Sequence, residues 1–503
     1  MNEQAGPRSR PTLSADVVVV GGGSSGAVVA ARLVEAGATV VLVEAGPDYG
    51  SFGGGTWPAD LLDAHALATS HDWGYTSGPV SGRAPWTFER ARVIGGCSAH
   101  NGAIAAVGHA TDYDAWNLPL WRTDLLRPLF ARALSMMRVR TYEPDEVGPF
   151  HARCLRAAEE TGWTMAQDLC DLDANTSFGR ESVNIVNRVR WNSAFAYIDP
   201  VRAHSNLRIL DRMLTDRVLQ TTNGSVVVGW RDGTEIRVGA ERVVLCAGVY
   251  GTPAILQRSG IGDPVVLVAA GVRTTHELRG VGANLHDHPM VHADREVGPQ
   301  LQGWLDEAAA KGALPEEQTL GKSCSSLATD GIFDTHLFPV CASTQTVLTN
   351  GRALIEVACV TPRSRGSLAV VSADPGAAPR IDHAYLSDPE DHDITVLRDG
   401  LKLAQEMFAH PALAGVLGGE VTDISSAEAI RREVAHYYHP VGTCRMGVDS
   451  DPFAVCDETG RVYGLPRVWV GDVSLMPQIP RANTNIPAVM IGERIAGFLT
   501  ADA

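Results

Sequence analysis

"ADVVVVGGGSSGAVVAARLVEAGATVVLVEAG", residues 15–46, carries the decisive pattern of the chain. Val17–Val20 is a short apolar run of the kind that forms a strand buried on both faces. It leads into Gly21, Gly23 and Gly26, with Ser24 and Ser25 between them, and then into an alanine-rich helical stretch. A second apolar run, Val40–Val43, ends at Glu44 and Ala45. The glycines serve different ends. Gly21 allows the tight turn, Gly23 lets a pyrophosphate approach the backbone, and Gly26 lets helix and strand pack closely. The helix start offers free N–H groups and a positive dipole end to phosphates. Glu44, 18 residues past Gly26, stands where a carboxylate binds ribose hydroxyls. The unit predicts a parallel α/β sheet that binds a dinucleotide.

The whole chain agrees with such an enzyme. Its 503 residues suffice for two to four domains, and a 45% hydrophobic content is that of a globular protein with large cores. No run approaches the roughly 20 apolar residues of a membrane span. The opening "MNEQAGPRSRPT" lacks the apolar stretch of a secretory signal. The expectation is a cytoplasmic protein with residues 1–11 as a loose tail. Nine cysteines without a CxxC pair predict neither a disulfide framework nor a metal site, and Cys246 and Cys359 read as core residues. A net charge of −16 without a basic stripe speaks against nucleic acid.

A second glycine-rich bend, "RVIGGCSAHNGA" at 92–103, places an imidazole between small residues. His100 there either caps a turn or meets the cofactor. With "GTPAILQRSGIG" (251–262), "GVGANLHDHP" (280–289), "YYHPVGTCRMG" (437–447) and "VGDVSLMPQIPRANTNIPAVMIGERIA" (470–496), this bend resembles the signatures of the glucose–methanol–choline (GMC) flavin oxidoreductases, in the family's order. The resemblance covers nearly the whole chain. Cys97 and His100 depart from most members, and "GGCSAHN" is similar to the choline-oxidase branch, whose histidine at this point is bonded to the flavin. The resemblance therefore implies FAD, covalently linked to His100. It also implies cofactor contacts from Trp73, from Arg92, Gly95, Gly96, Cys97, Asn101 and Gly102, from the backbone of Val218 to adenine, from Ala247 and Gly248, and from Asp472 beside the ribityl chain or pyrophosphate.

The same resemblance places the catalytic base at the histidine before proline, His439, with Asn483 of "NTN" orienting the alcohol oxygen and contacting the flavin. His436 reads as a structural neighbour. His286 and His288 read as part of a loop packed beside the flavin unit. The implied fold is a Rossmann-like FAD domain (12–110, 200–290, 455–503) interleaved with a substrate domain (111–199, 291–454) built on an antiparallel sheet covered by helices. Residues 361–385 alternate as strands of that sheet, and "DHDITVLRDGLKLAQEMFAH" has the spacing of a covering helix. Residues 295–345 match no pattern, and Glu307 beside Trp304 is a poor equivalent of an ammonium-binding glutamate.

The implied activity is oxidation of a small polar alcohol, an amino alcohol or amino sugar among the options, to an aldehyde, with onward oxidation to an acid open to it. Oxygen is the favoured acceptor. A quinone or protein acceptor, and a non-redox lyase on the same scaffold, are the alternatives.

Overall fold

The computed structural model describes residues 13–77, 85–312, 315–342, 349 and 351–501. The tail expected at 1–11 lies outside them. Two seven-stranded sheets organise the chain. In the first, Leu207–Leu210, Val40–Val43, Leu13–Val20 and Thr234–Leu245 run parallel in that spatial order, and Val468–Val470 joins the end of the last in parallel. Gly224–Arg231 and Leu214–Thr221 extend the sheet antiparallel. Val17–Val20 and Val40–Val43 are fully buried, as double-faced strands must be. The helix Ser24–Glu35 crosses between them and packs against the C-terminal helix Asn485–Ala501.

The second sheet is antiparallel, in the order Leu417–Glu420, Pro289–Val297, Arg352–Cys359, Thr335–Val340, Thr319–Ser323, Ser177–Arg180, with Ala435–His436 as a seventh strand on the start of Pro289–Val297. The helix His392–Ala409 covers one face, and Gly400 lets it lie close there: a Cβ on Gly400 would meet Val357 Cγ1 and, at 2.7 Å, Thr335 Cγ2. The unread segment 295–345 supplies the helix Pro299–Lys311 and two central strands of this sheet.

One expectation fails. Within 361–385, Ser367–Ala369 and Arg380–Asp382 form a two-stranded sheet of their own and do not join the large one. Their backbone is claimed by the helix Gly248–Arg258: Gln257 Nε2 donates to the Leu368 carbonyl at 3.2 Å, and Gln257 Oε1 accepts the Val370 N–H at 2.8 Å. Cys246 and Cys359 are buried as expected, and all nine cysteines are free thiols. No helix among the described residues is long and apolar enough to cross a membrane.

Candidate active site

The two glycine-rich bends meet. The Gly95 N–H donates to the Gly22 carbonyl at 2.8 Å, and a Cβ on Gly96 would stand 2.6 Å from Gly23 Cα. Gly96 has φ +53°, so the position needs glycine for both its conformation and its neighbour. Glu44 fastens the first bend: Oε2 accepts the Gly22 N–H and Oε1 the Gly46 N–H, each at 2.8 Å. Each oxygen keeps a second lone pair for a ligand hydroxyl. Burial raises the Glu44 pKa, opposed by those N–H groups.

These bends open on a cavity of about 950 Å³. Gly21, Gly23, Ser24, Ser25, Glu44 and Ala45 line one part of it, and Trp73, Gly96, Cys97, His100, Asn101 and Gly102 another. Ala247, Gly248, Asp472, His439 and Asn483 complete the set that the structure brings together. Gly26, Gly95 and Arg92 stand just behind the lining, where Gly26 packs the helix on the Gly21 backbone and the Arg92 guanidinium lies 4.8 Å from the Trp73 ring centre. Val218 is the exception. Its N–H is given to Ser259 Oγ at 2.9 Å, and Met213, Leu214 and Thr215 line the cavity at the start of this strand.

His100 is buried and faces the cavity, with Nε2 lacking a hydrogen-bond partner among the described residues. Burial, helped by the Arg90 charge, lowers its pKa to about 4, so the ring is neutral. Beneath it, the fully buried Arg190 donates from Nε to the Asn101 carbonyl at 2.6 Å and from Nη1 to the carbonyls of Leu61 at 3.0 Å and Ala99 at 3.4 Å. Nη2 reaches the Ala66 carbonyl at 2.7 Å. Arg190 thus ties the residues on either side of His100 to the 60–66 turn.

His439 sits in a chain of hydrogen bonds that assigns its tautomer. His288 Nε2 lies 3.2 Å from the Pro480 carbonyl, which can only accept, so this nitrogen carries the proton. Burial lowers the His288 pKa to about 3, so its Nδ1 is a bare acceptor. His439 Nδ1, 3.2 Å from it, must therefore donate, and His439 Nε2 is left as a lone pair. Burial, with His288 and Arg90 nearby, holds the His439 pKa well below the usual imidazole value. Asp287 fixes the backbone around both rings by accepting the N–H of His288 at 2.8 Å and of His439 at 2.9 Å, and the Tyr385 hydroxyl at 2.8 Å.

The GMC oxidoreductase family models match residues 15–290 and 362–492. The chain belongs to the GMC oxidoreductases. It is 31% identical to an oxygen-dependent choline dehydrogenase of Paraburkholderia xenovorans over 96% of this chain and 93% of that one. Another oxygen-dependent choline dehydrogenase, from Pseudomonas savastanoi, is 33% identical over 96% and 92%. Pyridoxine 4-oxidase from Mesorbium loti superposes with a TM-score of 0.83 at 27% identity, covering 96% of this chain and 98% of the other.

GMC oxidoreductases bind FAD, and the residues of this GMC oxidoreductase fit it. His100 Nε2, Asn483 Oδ1 and Asn485 Nδ2 are buried polar atoms without partners among the described residues, all on residues that line one cavity. Gly248 opens a second helix N-terminus onto the same space, its N–H held by Asp472 Oδ2 at 2.8 Å. No motif in the sequence points to Arg190 or Asp287, and His288 reads there only as a packing residue. The "HDHP" spelling was the one available signal. Glu307 is solvent-exposed and paired with Lys311, far from any role in the cavity.

Proposed function

We propose that this chain oxidises a polar primary alcohol to an aldehyde, with His439 as the base, and that oxygen takes up the electrons as hydrogen peroxide. The observation that carries the reading is that His439, whose hydrogen bond to His288 leaves Nε2 as a lone pair, and Asn483 line one cavity. FAD, held by the Gly21–Gly26 bend, Glu44, Asp472 and the 95–102 bend, supplies a hydride acceptor when bound. His439 Nε2 takes the hydroxyl proton, which the tautomer fixed by His288 leaves it free to do. The Asn483 amide holds the alcohol oxygen without itself titrating. The carbon-bound hydrogen then leaves with its electron pair, so two electrons and two protons are removed per aldehyde formed.

The reading includes His100 as the residue that would carry the flavin covalently, through its Nε2, when the cofactor is bound. The neutral ring and the unpartnered Nε2 support it. The proposed flavin unit 12–110, 200–290 and 455–503 is supported by the parallel-cored sheet, which draws all its strands from those segments. The antiparallel sheet draws on 111–199 and 291–454, apart from the first residues of its Pro289–Val297 strand. Turnover of a panel of primary alcohols under air, with oxygen uptake and peroxide recorded, tests the acceptor. One peroxide per oxygen is expected; turnover only with an added quinone makes the enzyme a dehydrogenase instead.

A further inference from the structure

Alcohol oxidation leaves one concentration of chemistry in the cavity unused, on the side walled by the antiparallel sheet. Glu356 lies on Arg352–Cys359, directly opposite Phe338, and Glu316 and Glu317 immediately precede Thr319–Ser323. All three glutamates line the cavity, together with Phe338, Tyr437 and Tyr438. Glu317 Oε2 would stand 2.8 Å from a Cβ on Gly102, which puts that carboxylate against the loop carrying His100.

Behind them, Glu181 is 1% exposed, and neither of its oxygens has a hydrogen-bond partner among the described residues. The hydroxyl of Tyr437, 4% exposed, has none either. No described arginine or lysine forms an ion pair with Glu181, Glu317 or Glu356. Burial, then the neighbouring carboxylates, raises the pKa of Glu356 to about 8 and those of Glu317 and Glu181 well above the carboxylate range. Unpaired acids crowded in a low-dielectric wall are costly to a fold, and an apolar wall would be more stable.

We propose that this carboxylate wall receives a substrate bearing two or more protonated primary or secondary amines and holds it with a hydroxyl at His439. One cation answers only one carboxylate, and Glu317 and Glu356 both face the cavity. A bound ammonium favours loss of each acid's proton, and the carboxylate oxygens then take N–H bonds that a quaternary ammonium cannot offer. Phe338, Tyr437 and Tyr438 line the same wall and add aromatic rings that suit an ammonium group. A net charge of −16 draws polycations toward the enzyme. Which group is oxidised rests on the alcohol reading above; recognition of the amines does not.

The test titrates the flavin-loaded enzyme with putrescine, butanediol and tetramethylammonium, followed by the visible flavin spectrum, in wild type, Glu356→Gln and Glu317→Gln. Glutamine matches the shape of the protonated acid, and the flavin-to-protein absorbance ratio verifies the fold of each variant. Putrescine is expected to bind, butanediol not to, and each substitution to weaken putrescine roughly tenfold, the size of a lost charge-assisted hydrogen bond. Butanediol binding as tightly as putrescine, tetramethylammonium binding more tightly, or putrescine binding equally to both variants overturns the proposal. Anaerobic mixing with aminoethylethanolamine separates the two claims. Putrescine binding that depends on Glu356, without flavin reduction by this amino alcohol or any other alcohol, upholds the receptor and removes the alcohol reading.

Discussion

Nδ1 of His288 lies 3.2 Å from Nδ1 of His439, and the Pro480 carbonyl behind His288 sets the direction of every proton in the pair. A His288→Leu substitution leaves the His439 ring free to carry its proton on Nε2, where it blocks the base. The flavin-reduction rate is expected to fall roughly tenfold to a hundredfold, less than the roughly 10²–10⁴ of losing the base itself. Its pH profile should move as well. In wild type the imidazole is neutral throughout the physiological range, so the rate is flat from about pH 6.5 upward. In His288→Leu an acid limb should rise into that range. A uniform drop with an unchanged profile would reduce His288 to packing.

His100→Asn should yield a chain whose flavin is released by acid, where wild type keeps it in the denatured chain's mass. Arg190→Met should lower the fraction of covalently loaded chains, because at least four backbone carbonyls around the His100 loop lose their donor. Unmet buried carbonyls cost about 1–3 kcal/mol each before relaxation, so a fall in melting temperature is expected too. Mass spectrometry of the acid-denatured chain reads the first effect and thermal denaturation the second.

Gly96→Ala should abolish flavin retention while leaving a folded protein. The added methyl meets Gly23 Cα at 2.6 Å, and the positive φ adds about 1 kcal/mol of strain. The two bends must then separate, and the pyrophosphate cradle opens. Full flavin occupancy in this variant would show that the bends need not touch.

Stability should depend on pH through two opposed groups of residues. His100, His288 and His436 have pKa values lowered to about 4, 3 and 4, chiefly by burial. Below about pH 6.5 the unfolded chain binds protons that the native state refuses, so stability falls on acidification. Glu356, raised to about 8, acts in the other direction: it is ionised in the unfolded chain above about 4.5 yet protonated when buried, so its contribution fades as pH rises toward 8. Glu356→Gln should flatten the alkaline side of the melting-temperature profile. An unaltered alkaline slope would place the titrating group elsewhere.

Local constraints made the nucleotide unit legible: Gly21, Gly23, Gly26 and Glu44 act on one another within a few dozen residues. The covering helix 392–409 was legible for the same reason, since its apolar spacing is its own. The hairpin within 361–385 alternates like a sheet strand, but the amide of Gln257, over a hundred residues away, decides its partner. Val218 gives its N–H to Ser259 Oγ and is not among the cavity-lining residues, a placement that no residue type announces. The acidic wall was invisible because Glu181, Glu317 and Glu356 are scattered in sequence and meet only through the strand order of the antiparallel sheet. His288 was visible as a histidine but not as the partner of one 151 residues later.

The most direct test of the central claim is anaerobic mixing of flavin-loaded wild type and His439→Ala with a panel of primary alcohols that includes aminoethylethanolamine. Loss of the visible flavin absorbance in wild type, slowed by roughly 10²–10⁴ in His439→Ala at equal flavin content, is the expected result. Equal rates of flavin reduction in the two proteins would contradict it, since the proton of the alcohol would then be leaving to some other base.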